Sequence, residues 1–136
     1  MFAAKVFRPD AYQSAMQLLT AEVELAERLD HPNLVKTFGK MLVAGRWPAI
    51  VMEFMVCSLH EYLHKPKPWM HPINYAAQHR IACGVACGLA HMHDVLQMTH
   101  RDLKPLNVLL DQQVELVKIS DFGLATRFGM ETSAVG

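Results

Sequence analysis

The chain carries the sequence HRDLKPLN at residues 100–107 and the tripeptide DFG at residues 121–123, and these two motifs decide the fold. Pro105 has no backbone donor and fixes its own φ, so residues 100–107 are predicted to form a fixed loop. On that loop Asp102 is a candidate acceptor for the proton of a hydroxyl group. Asn107, five positions later, can present a carbonyl oxygen to a cation. Either tripeptide alone is weak evidence, whereas the ordered set with this spacing is specific.

A short hairpin is predicted between the two motifs. Residues 108–110 form an apolar run that ends in a polar turn, and residues 114–119 are rich in β-branched side chains, so the two segments are expected to pair. This pairing would bring Asn107 and Asp121 side by side. Two hard oxygen ligands on adjacent strand ends, with phosphate oxygens completing the shell, form a typical Mg²⁺ site. The alternative is that Asp102 and Asp121 are ordinary turn or cap aspartates.

These motifs resemble those of the protein kinase superfamily, and the resemblance extends over nearly the whole chain. The segment FAAK at residues 2–5 stands where kinases carry VAIK on a strand, with Phe in place of Val. The resemblance implies ATP and Mg²⁺ as cofactors. It places Lys5 on the α- and β-phosphates, Ala3 beside the adenine and Leu109 in the same nucleotide site.

A helix is predicted over residues 11–29, and it carries an acid suited to pair with Lys5. Asp10 is a candidate N-cap and forms a capping-box pattern with Gln13. Apolar side chains repeat at helical spacing along one face: Met16, Leu19, Val23 and Ala26. Glu22 lies on or beside that face, where a carboxylate requires a cation, and the kinase resemblance makes Lys5 its partner. The alternative is a solvated surface glutamate.

The segment HPNLV at residues 31–35 matches the one that follows this helix in many kinases. Two apolar runs follow, residues 34–43 and 49–55, and the turn at residues 44–46 predicts a hairpin between them.

By the same resemblance, the second apolar run ends in the hinge that holds the adenine. Met52 is then the gatekeeper beside the base, and the backbones of Glu53 and Met55 hydrogen-bond to it. Plain core packing is the alternative for Met52, and the two roles are compatible.

The loop also indicates the substrate class. Lys104, two residues after Asp102, is the serine/threonine-kinase form of this loop, whereas tyrosine kinases usually carry Ala or Arg nearby. Asp102 is then the catalytic base, and Lys104 steadies the γ-phosphate as charge develops. The overall sequence is most similar to the tyrosine-kinase-like group, which includes relatives of MAP kinase kinase kinases. By analogy, a phosphate on Thr132 or Ser133 would pair with Arg101 and order the segment; the alternative is that these are merely polar loop residues.

Composition sets broad limits. With 136 residues and 51% hydrophobic content the chain can bury a core, and its length indicates one domain. Lys plus Arg and Asp plus Glu number 13 each, so nothing points to nucleic acid or an acidic membrane surface. The longest near-apolar run, residues 81–90, is too short to span a bilayer, and no secretory signal is recognisable. The three cysteines lack metal-site spacing; Cys83 and Cys87 are predicted to be reduced packing residues, and a cytoplasmic location fits.

The segment HEYLH, from His60 to His64, matches the zinc-protease pattern HExxH, in which two histidines hold the metal and the glutamate is the base. Ser58 and Glu61 also form a capping-box pattern, which accounts for the glutamate without catalysis. No downstream helix offers an obvious third ligand, although His71 and His79 are candidates. A zinc metalloprotease is therefore kept as a remote alternative.

The predicted fold class is α+β, a partial two-lobed protein kinase fold. Residues 1–55 form an incomplete small β lobe with one helix and end in the hinge. Residues 56–136 form the start of the helical large lobe through the catalytic loop, DFG and part of the activation segment. The glycine-rich loop and the A-P-E motif of kinases are not in this sequence. Ala26 and Thr37 are smaller than usual for the internal hydrophobic stack, which is expected to leave its upper half under-filled.

Two functions from different classes compete. The first is a protein serine/threonine kinase segment that transfers the ATP γ-phosphate to Ser/Thr hydroxyls in signalling. The second is a non-catalytic, kinase-derived scaffold or interfering partner, although pseudokinases usually lose the Lys5, Asp102 or DFG positions that this chain retains. A predicted helix over residues 74–93 and the catalytic loop are expected to expose apolar surface that a protein partner would cover. We expect this chain alone to bind ATP weakly and to phosphorylate nothing at a useful rate.

Overall fold

The computed structural model describes residues 1–7, 12–65 and 67–128, and its architecture is of the expected α+β class. A three-stranded antiparallel sheet opens the chain. Its strands are β1 (Phe2–Val6), β2 (Thr37–Val43) and β3 (Trp47–Glu53), in the order β1-β3-β2.

The β2–β3 hairpin turns where the sequence predicts it. Ala44 and Gly45 adopt left-handed backbone conformations with φ of 52° and 68°, which reverse the chain between the strands. Strand β2 begins later than the apolar run does. Leu34, at the start of that run, instead forms a single parallel bridge with Ile119. This bridge ties the region of the first sheet to the second half of the chain.

Helix α1 (Tyr12–Ala26) packs on this sheet through the predicted face. Leu19 and Val23 are buried in one cluster with Ile50 of β3. The predicted helix runs three residues longer, but after α1 the backbone makes the tighter i→i+3 hydrogen bonds that end an α-helix. The predicted N-cap, Asp10, lies outside the described residues.

Two helices follow, α2 (Leu59–His64) and α3 (Tyr75–Ala90), and α3 continues into one wide π-helical turn (His91–Val95). The predicted capping box of α2 is confirmed: Glu61 N–H donates to Ser58 Oγ at 3.1 Å, and Ser58 N–H donates to Glu61 Oε2 at 3.0 Å. The helix predicted over residues 74–93 is α-helical only to Ala90, and its last residues belong to the π-helical turn. In the described ranges, no helix has both the length and the apolar character needed to cross a bilayer.

The hairpin between the two motifs forms from β6 (Val108–Leu110) and β7 (Val117–Ile119). A short strand, β4 (Cys57–Ser58), joins the free edge of β6, and a 3₁₀ turn (Pro105–Asn107) leads into β6. A separate pair, β5 (Met98–Thr99) with β8 (Thr126–Arg127), flanks the two motifs.

Strand β7 is shorter than the predicted segment 114–119. The Asp111 carboxylate accepts the N–H groups of Glu115 and Leu116 at 2.7 and 2.9 Å, which holds those residues in a turn. Val114 takes a left-handed conformation with φ 56° in the same turn. A side chain that competes for backbone donors in this way delays the start of the strand.

Helix α3 lies against the hairpin through glycines. A Cβ added at Gly84 would lie 2.7 Å from the Cβ of Val117, and one added at Gly88 would lie 2.9 Å from the carbonyl oxygen of Asn33. Neither position has room for a side chain. The glycines therefore set how closely α3 approaches β7.

The prediction that Cys83 and Cys87 are packing residues is wrong, since both are exposed. Each cysteine precedes by one residue a glycine that faces the hairpin. One residue is a rotation of about 100° around a helix, which carries both thiols away from the packed face.

Candidate active site

Lys5 stands at the centre of the candidate site. Its ammonium nitrogen lies 3.0 Å from Glu22 Oε1 and 2.9 Å from Asp121 Oδ1. Burial on its own lowers the pKa of Lys5, but the hydrogen bonds with Asp121 and Glu22 outweigh it and hold the pKa above its ordinary value. The charged ammonium thus joins β1, α1 and the DFG segment.

Local structure explains why these groups meet. Along β1 the side chains alternate, so Lys5 is half-buried while its neighbours Ala4 and Val6 are exposed. Glu22 precedes the buried Val23 on α1, and its side chain is 11% exposed. A carboxylate so shielded from water requires the cation that the strand presents.

His100 fixes the loop that carries the candidate base. Its side chain is 2% exposed. Nδ1 of His100 accepts the N–H of Asp102 at 3.2 Å, so the proton of the neutral ring lies on Nε2, which donates to the carbonyl of Ser120 at 2.9 Å. One imidazole therefore connects the backbone of Asp102 to the residue before Asp121.

The carboxylate of Asp102 is held by two donors. Lys104 Nζ lies 3.0 and 2.8 Å from its two oxygens, and Asn107 Nδ2 lies 3.2 Å from Oδ2 and 2.8 Å from the Asp102 carbonyl oxygen. The hydrogen bond from Lys104, supported by its charge and by Asn107, lowers the pKa of Asp102. The group is ionised and oriented, as a proton acceptor must be.

The hairpin brings Asn107 and Asp121 to one place, as the spacing predicts. Ser120 donates its N–H and Oγ–H to the carbonyl of Asn107, at 2.8 and 3.2 Å. Asp121 follows with φ 64°, a left-handed conformation that turns the chain into DFG. An amide oxygen and a carboxylate are hard donors, so these two side chains fit a Mg²⁺ ion.

A cavity of about 220 Å³ opens beside Lys5 and is lined mostly by apolar groups. Its lining residues come from both halves of the chain: Lys5, Glu22, Ala26, Val35, Thr37, Ile50, Met52, Asn107, Ser120, Asp121 and Phe122. The small side chains of Ala26 and Thr37 are among them. The space therefore lies where the under-filled stack is expected.

Within the described part of the chain, four predicted nucleotide contacts do not line this cavity: Ala3, Glu53, Met55 and Leu109. Ala3 pairs with Met52 across β1 and β3, and Leu109 occupies the middle of β6. The cavity thus borders α1 through Glu22 and Ala26, and these four assignments stay predictions.

The sequence motifs predict only a backbone role for Glu53 and no role for Lys118. Glu53 Oε1 lies 2.8 Å from Lys118 Nζ and accepts the N–H of Lys36 at 2.6 Å. The Lys118 side chain is 11% exposed. A charged residue between two apolar ones in a short strand, as in the VKI of β7, was the available signal for a buried ion pair.

The predicted phosphosites Thr132 and Ser133 lie outside the described residues. Their predicted partner, Arg101, is exposed and takes a left-handed conformation with φ 66°.

The HExxH match does not form a zinc-protease site among the described residues. Glu61 is committed to the capping box with Ser58. The rings of His60 and His64 lie 4.6 Å apart, but the described residues contain no group of three metal-ligating side chains. Two histidines without a third ligand do not make a catalytic zinc centre.

Comparison with known proteins agrees with the sequence motifs. The chain is 40% identical over 107 residues to a probable leucine-rich repeat receptor-like serine/threonine-protein kinase of Arabidopsis thaliana, a match that covers 76% of this chain and 10% of that protein. It is 37% identical over 127 residues to the probable serine/threonine-protein kinase PBL11 of the same organism, covering 92% of this chain and 32% of the relative. The chain therefore spans about a third or less of these relatives' length.

A solved structure shares the fold. A chain of the yeast RNA Pol II CTD kinase CTDK-1 complex superimposes with a TM-score of 0.75 at 24% identity, over 93% of this chain and 39% of the other. Residues 1–135 match the family model of the protein kinase domain. The fold is thus a partial protein kinase fold, and the chain belongs to the protein kinase domain family.

Proposed function

We propose that this chain is the nucleotide-binding and catalytic-loop part of an ATP- and Mg²⁺-dependent protein serine/threonine kinase. The observation that carries the proposal is the position of Lys5 between Glu22 and Asp121, beside a loop that holds Asp102 ionised. The serine/threonine kinases among the relatives support the same activity.

Lys5 and Glu22 act as the phosphate clamp. Glu22 positions the ammonium, and Lys5 pairs with phosphate oxygens of the nucleotide. Asn107 and Asp121 supply oxygen ligands for Mg²⁺, which when bound neutralises charge on the phosphates. Because Asp121 Oδ1 pairs with Lys5 in this structure, the clamp and the metal ligand are mechanically joined.

Asp102 accepts the proton of the substrate hydroxyl. Asn107 fixes its orientation, and Lys104, 2.8 Å from its carboxylate, lies where a cation can also stabilise negative charge on the group in transfer. Lys104 is also the form of this loop that is typical of serine/threonine kinases, which supports Ser and Thr hydroxyls as acceptors. We extend the proposal to the adenine contacts of Met52 and the hinge and to regulation through Thr132 or Ser133.

The proposal also includes a protein substrate, a role in signalling and a cytoplasmic site of action. Three free cysteines, Cys57, Cys83 and Cys87, suit a reducing compartment with ATP. The division into a small-lobe part, residues 1–55, and a large-lobe part, residues 56–136, belongs to the same proposal.

The scaffold alternative has one observation in its favour. Leu103 and Leu106 of the catalytic loop are exposed, together with much of the outward face of α3. A protein partner would cover such apolar surface. The intact Lys5–Asp121 contact nevertheless favours a working nucleotide site.

Binding of a fluorescent ATP analogue with Mg²⁺ tests the proposal. We expect Asp121→Ala to weaken binding about tenfold or more, since it removes a metal ligand and a partner of Lys5. Asp94→Ala, a change of an exposed acid in the π-helical turn, is the matched control and should leave affinity unchanged. Equal binding by the wild type and Asp121→Ala would contradict the proposal. No binding by the wild type, with a stable protein partner recovered, would favour the scaffold.

A further inference from the structure

Lys118 and Glu53 form a shielded ion pair between strands of two different sheets. Lys118 is the middle residue of β7, and Glu53 is the last residue of β3. Lys118 Nζ lies 2.8 Å from Glu53 Oε1, and the two side chains are 11% and 24% exposed. A lysine so withdrawn from water requires an acid, and among the described residues Glu53 is the one within ion-pair distance.

A short backbone segment joins the same two strands. Val35 N–H donates to the carbonyl of Ile119, and Ile119 N–H donates to the carbonyl of Asn33, both at 2.8 Å. At the other end of the segment, Lys36 N–H donates to Glu53 Oε1 at 2.6 Å, and Glu53 N–H donates to the carbonyl of Lys36 at 2.9 Å. The carboxylate oxygen of the ion pair therefore also holds the segment that bridges the strands.

The two partners stand close in sequence to residues of the nucleotide site. Glu53 follows Met52, and Lys118 precedes Asp121 by three residues. Met52 and Asp121 both line the cavity, whereas Glu53 and Lys118 are not among its lining residues. An effect of the ion pair on a bound nucleotide must therefore pass through the backbone of the two strands.

We propose that Lys118 and Glu53 are positioning residues, which set the distance between the part of the site that holds the base and the part that holds the phosphates. The inference rests on the proposed function, in which the end of β3 contacts adenine and Asp121 binds Mg²⁺ beside the phosphates. A ligand that spans both parts needs them aligned, because binding energy is lost when either part must move. A ligand that uses only the phosphate part does not need this alignment.

Two ligands of the purified chain in Mg²⁺ test this role: ATP, which spans both parts, and tripolyphosphate, which lacks the base. Displacement of a fluorescent ATP analogue measures the affinity of each. We expect Lys118→Met, which keeps a long side chain but removes its charge, to weaken ATP binding about tenfold and to leave tripolyphosphate binding unchanged. Lys118→Arg keeps the charge and should restore most of the affinity for ATP. Lys40→Met removes an exposed lysine of β2 and is the matched control, with no change for either ligand.

A double variant separates positioning from plain stability. Removing one member of a shielded ion pair leaves an uncompensated charge, whereas replacing both members with neutral side chains is often neutral for stability. In Glu53→Gln combined with Lys118→Met, the free energy of unfolding in urea should return toward the wild-type value. The affinity for ATP should stay about tenfold low, because the charged link between the strands is still missing.

Three results would overturn the inference and leave the proposed function intact. Unchanged ATP affinity in Lys118→Met would show that the ion pair does not position the site. Equal losses for ATP and tripolyphosphate would show an effect on the whole fold. Recovery of ATP affinity together with stability in the double variant would show a purely structural pair. A wild-type chain that binds neither ligand would contradict the proposed function itself, and this inference with it.

Discussion

The two interfaces that meet at the DFG segment are packed very differently. Beneath α3, Gly84 and Gly88 bring the helix so close to β7 and its neighbours that a single added carbon has no room. Beside α1, the small side chains of Ala26 and Thr37 leave a cavity of about 220 Å³. The catalytic loop and the metal ligands therefore rest beside a closely packed interface. Helix α1 packs on the sheet through Leu19 and Val23, but next to the site it borders the cavity and is joined to Lys5 by an ion pair.

On the cavity side, ion pairs of Lys5 add to the apolar packing of α1. Ion pairs to Glu22 and Asp121 connect α1 and DFG across the cavity. Such pairs depend on the charge and position of each partner, so a nucleotide that competes for Lys5 also changes what holds α1.

The largest expected effect on stability comes from adding a side chain at the closely packed interface between α3 and β7. Gly84→Val adds a branched side chain where even a Cβ lies 2.7 Å from Val117, and overpacking of this kind costs about 1–3 kcal/mol. We expect the free energy of unfolding in urea to fall by that amount. Ala86→Val makes a similar change on the exposed face of α3 and should cost much less. Equal losses for the two variants would show that the interface is not tight.

Filling the cavity beside α1 should change the free energy of unfolding in the opposite direction and by a smaller amount. Ala26→Leu places a larger apolar group against the cavity, and burying the three added carbons gains up to about 2.4 kcal/mol at roughly 0.8 kcal/mol per CH₂ group. The same urea measurement should show a gain in the free energy of unfolding. A loss like that of Gly84→Val would mean that the two interfaces do not differ in packing.

The sequence predicted the polar chemistry better than the packing. The kinase resemblance pairs Lys5 with Glu22, and the predicted hairpin sets Asn107 beside Asp121. The ion pair between Lys5 and Asp121, which joins the two groups, is not predicted. The exposure of Cys83 could not be read from its apolar helix, since it depends on which face the glycines present to a neighbour.

The sequence does not predict where α3 ends and β7 begins, for a related reason. The Asp111 side chain binds the backbone at Glu115 and Leu116 and shortens β7, and the π-helical turn widens the end of α3. Both features depend on competition for individual backbone groups. Periodicity alone does not show such competition.

A smaller effect on stability, which depends on pH, is expected at His31 beside the interface of α3 and β7. Its ring stacks on His91 with centroids 4.7 Å apart, and burial, His91 and Lys118 lower the pKa of His31 below 6.5. Because the folded state favours the neutral ring, the stability it contributes is present above pH 6.5 and is lost as the pH falls through the lowered pKa.

Nuclear magnetic resonance titration of His31 measures this directly. We expect its pKa to lie below 6.5 in the wild type and to rise in His91→Phe, which keeps an aromatic neighbour but removes the like charge. A wild-type pKa at or above 6.5 would contradict the environment described here.

Hydrogen exchange with and without Mg²⁺ and a non-hydrolysable ATP analogue measures how nucleotide affects the two interfaces. Nucleotide that binds through Lys5 and Asp121 should slow exchange in α1, because α1 borders the cavity and is joined to Lys5 through Glu22. Amides of α3 and β7, already locked together at Gly84 and Gly88, should change little. Protection confined to α3 and β7, or no protection in any element at saturating nucleotide, would contradict this account.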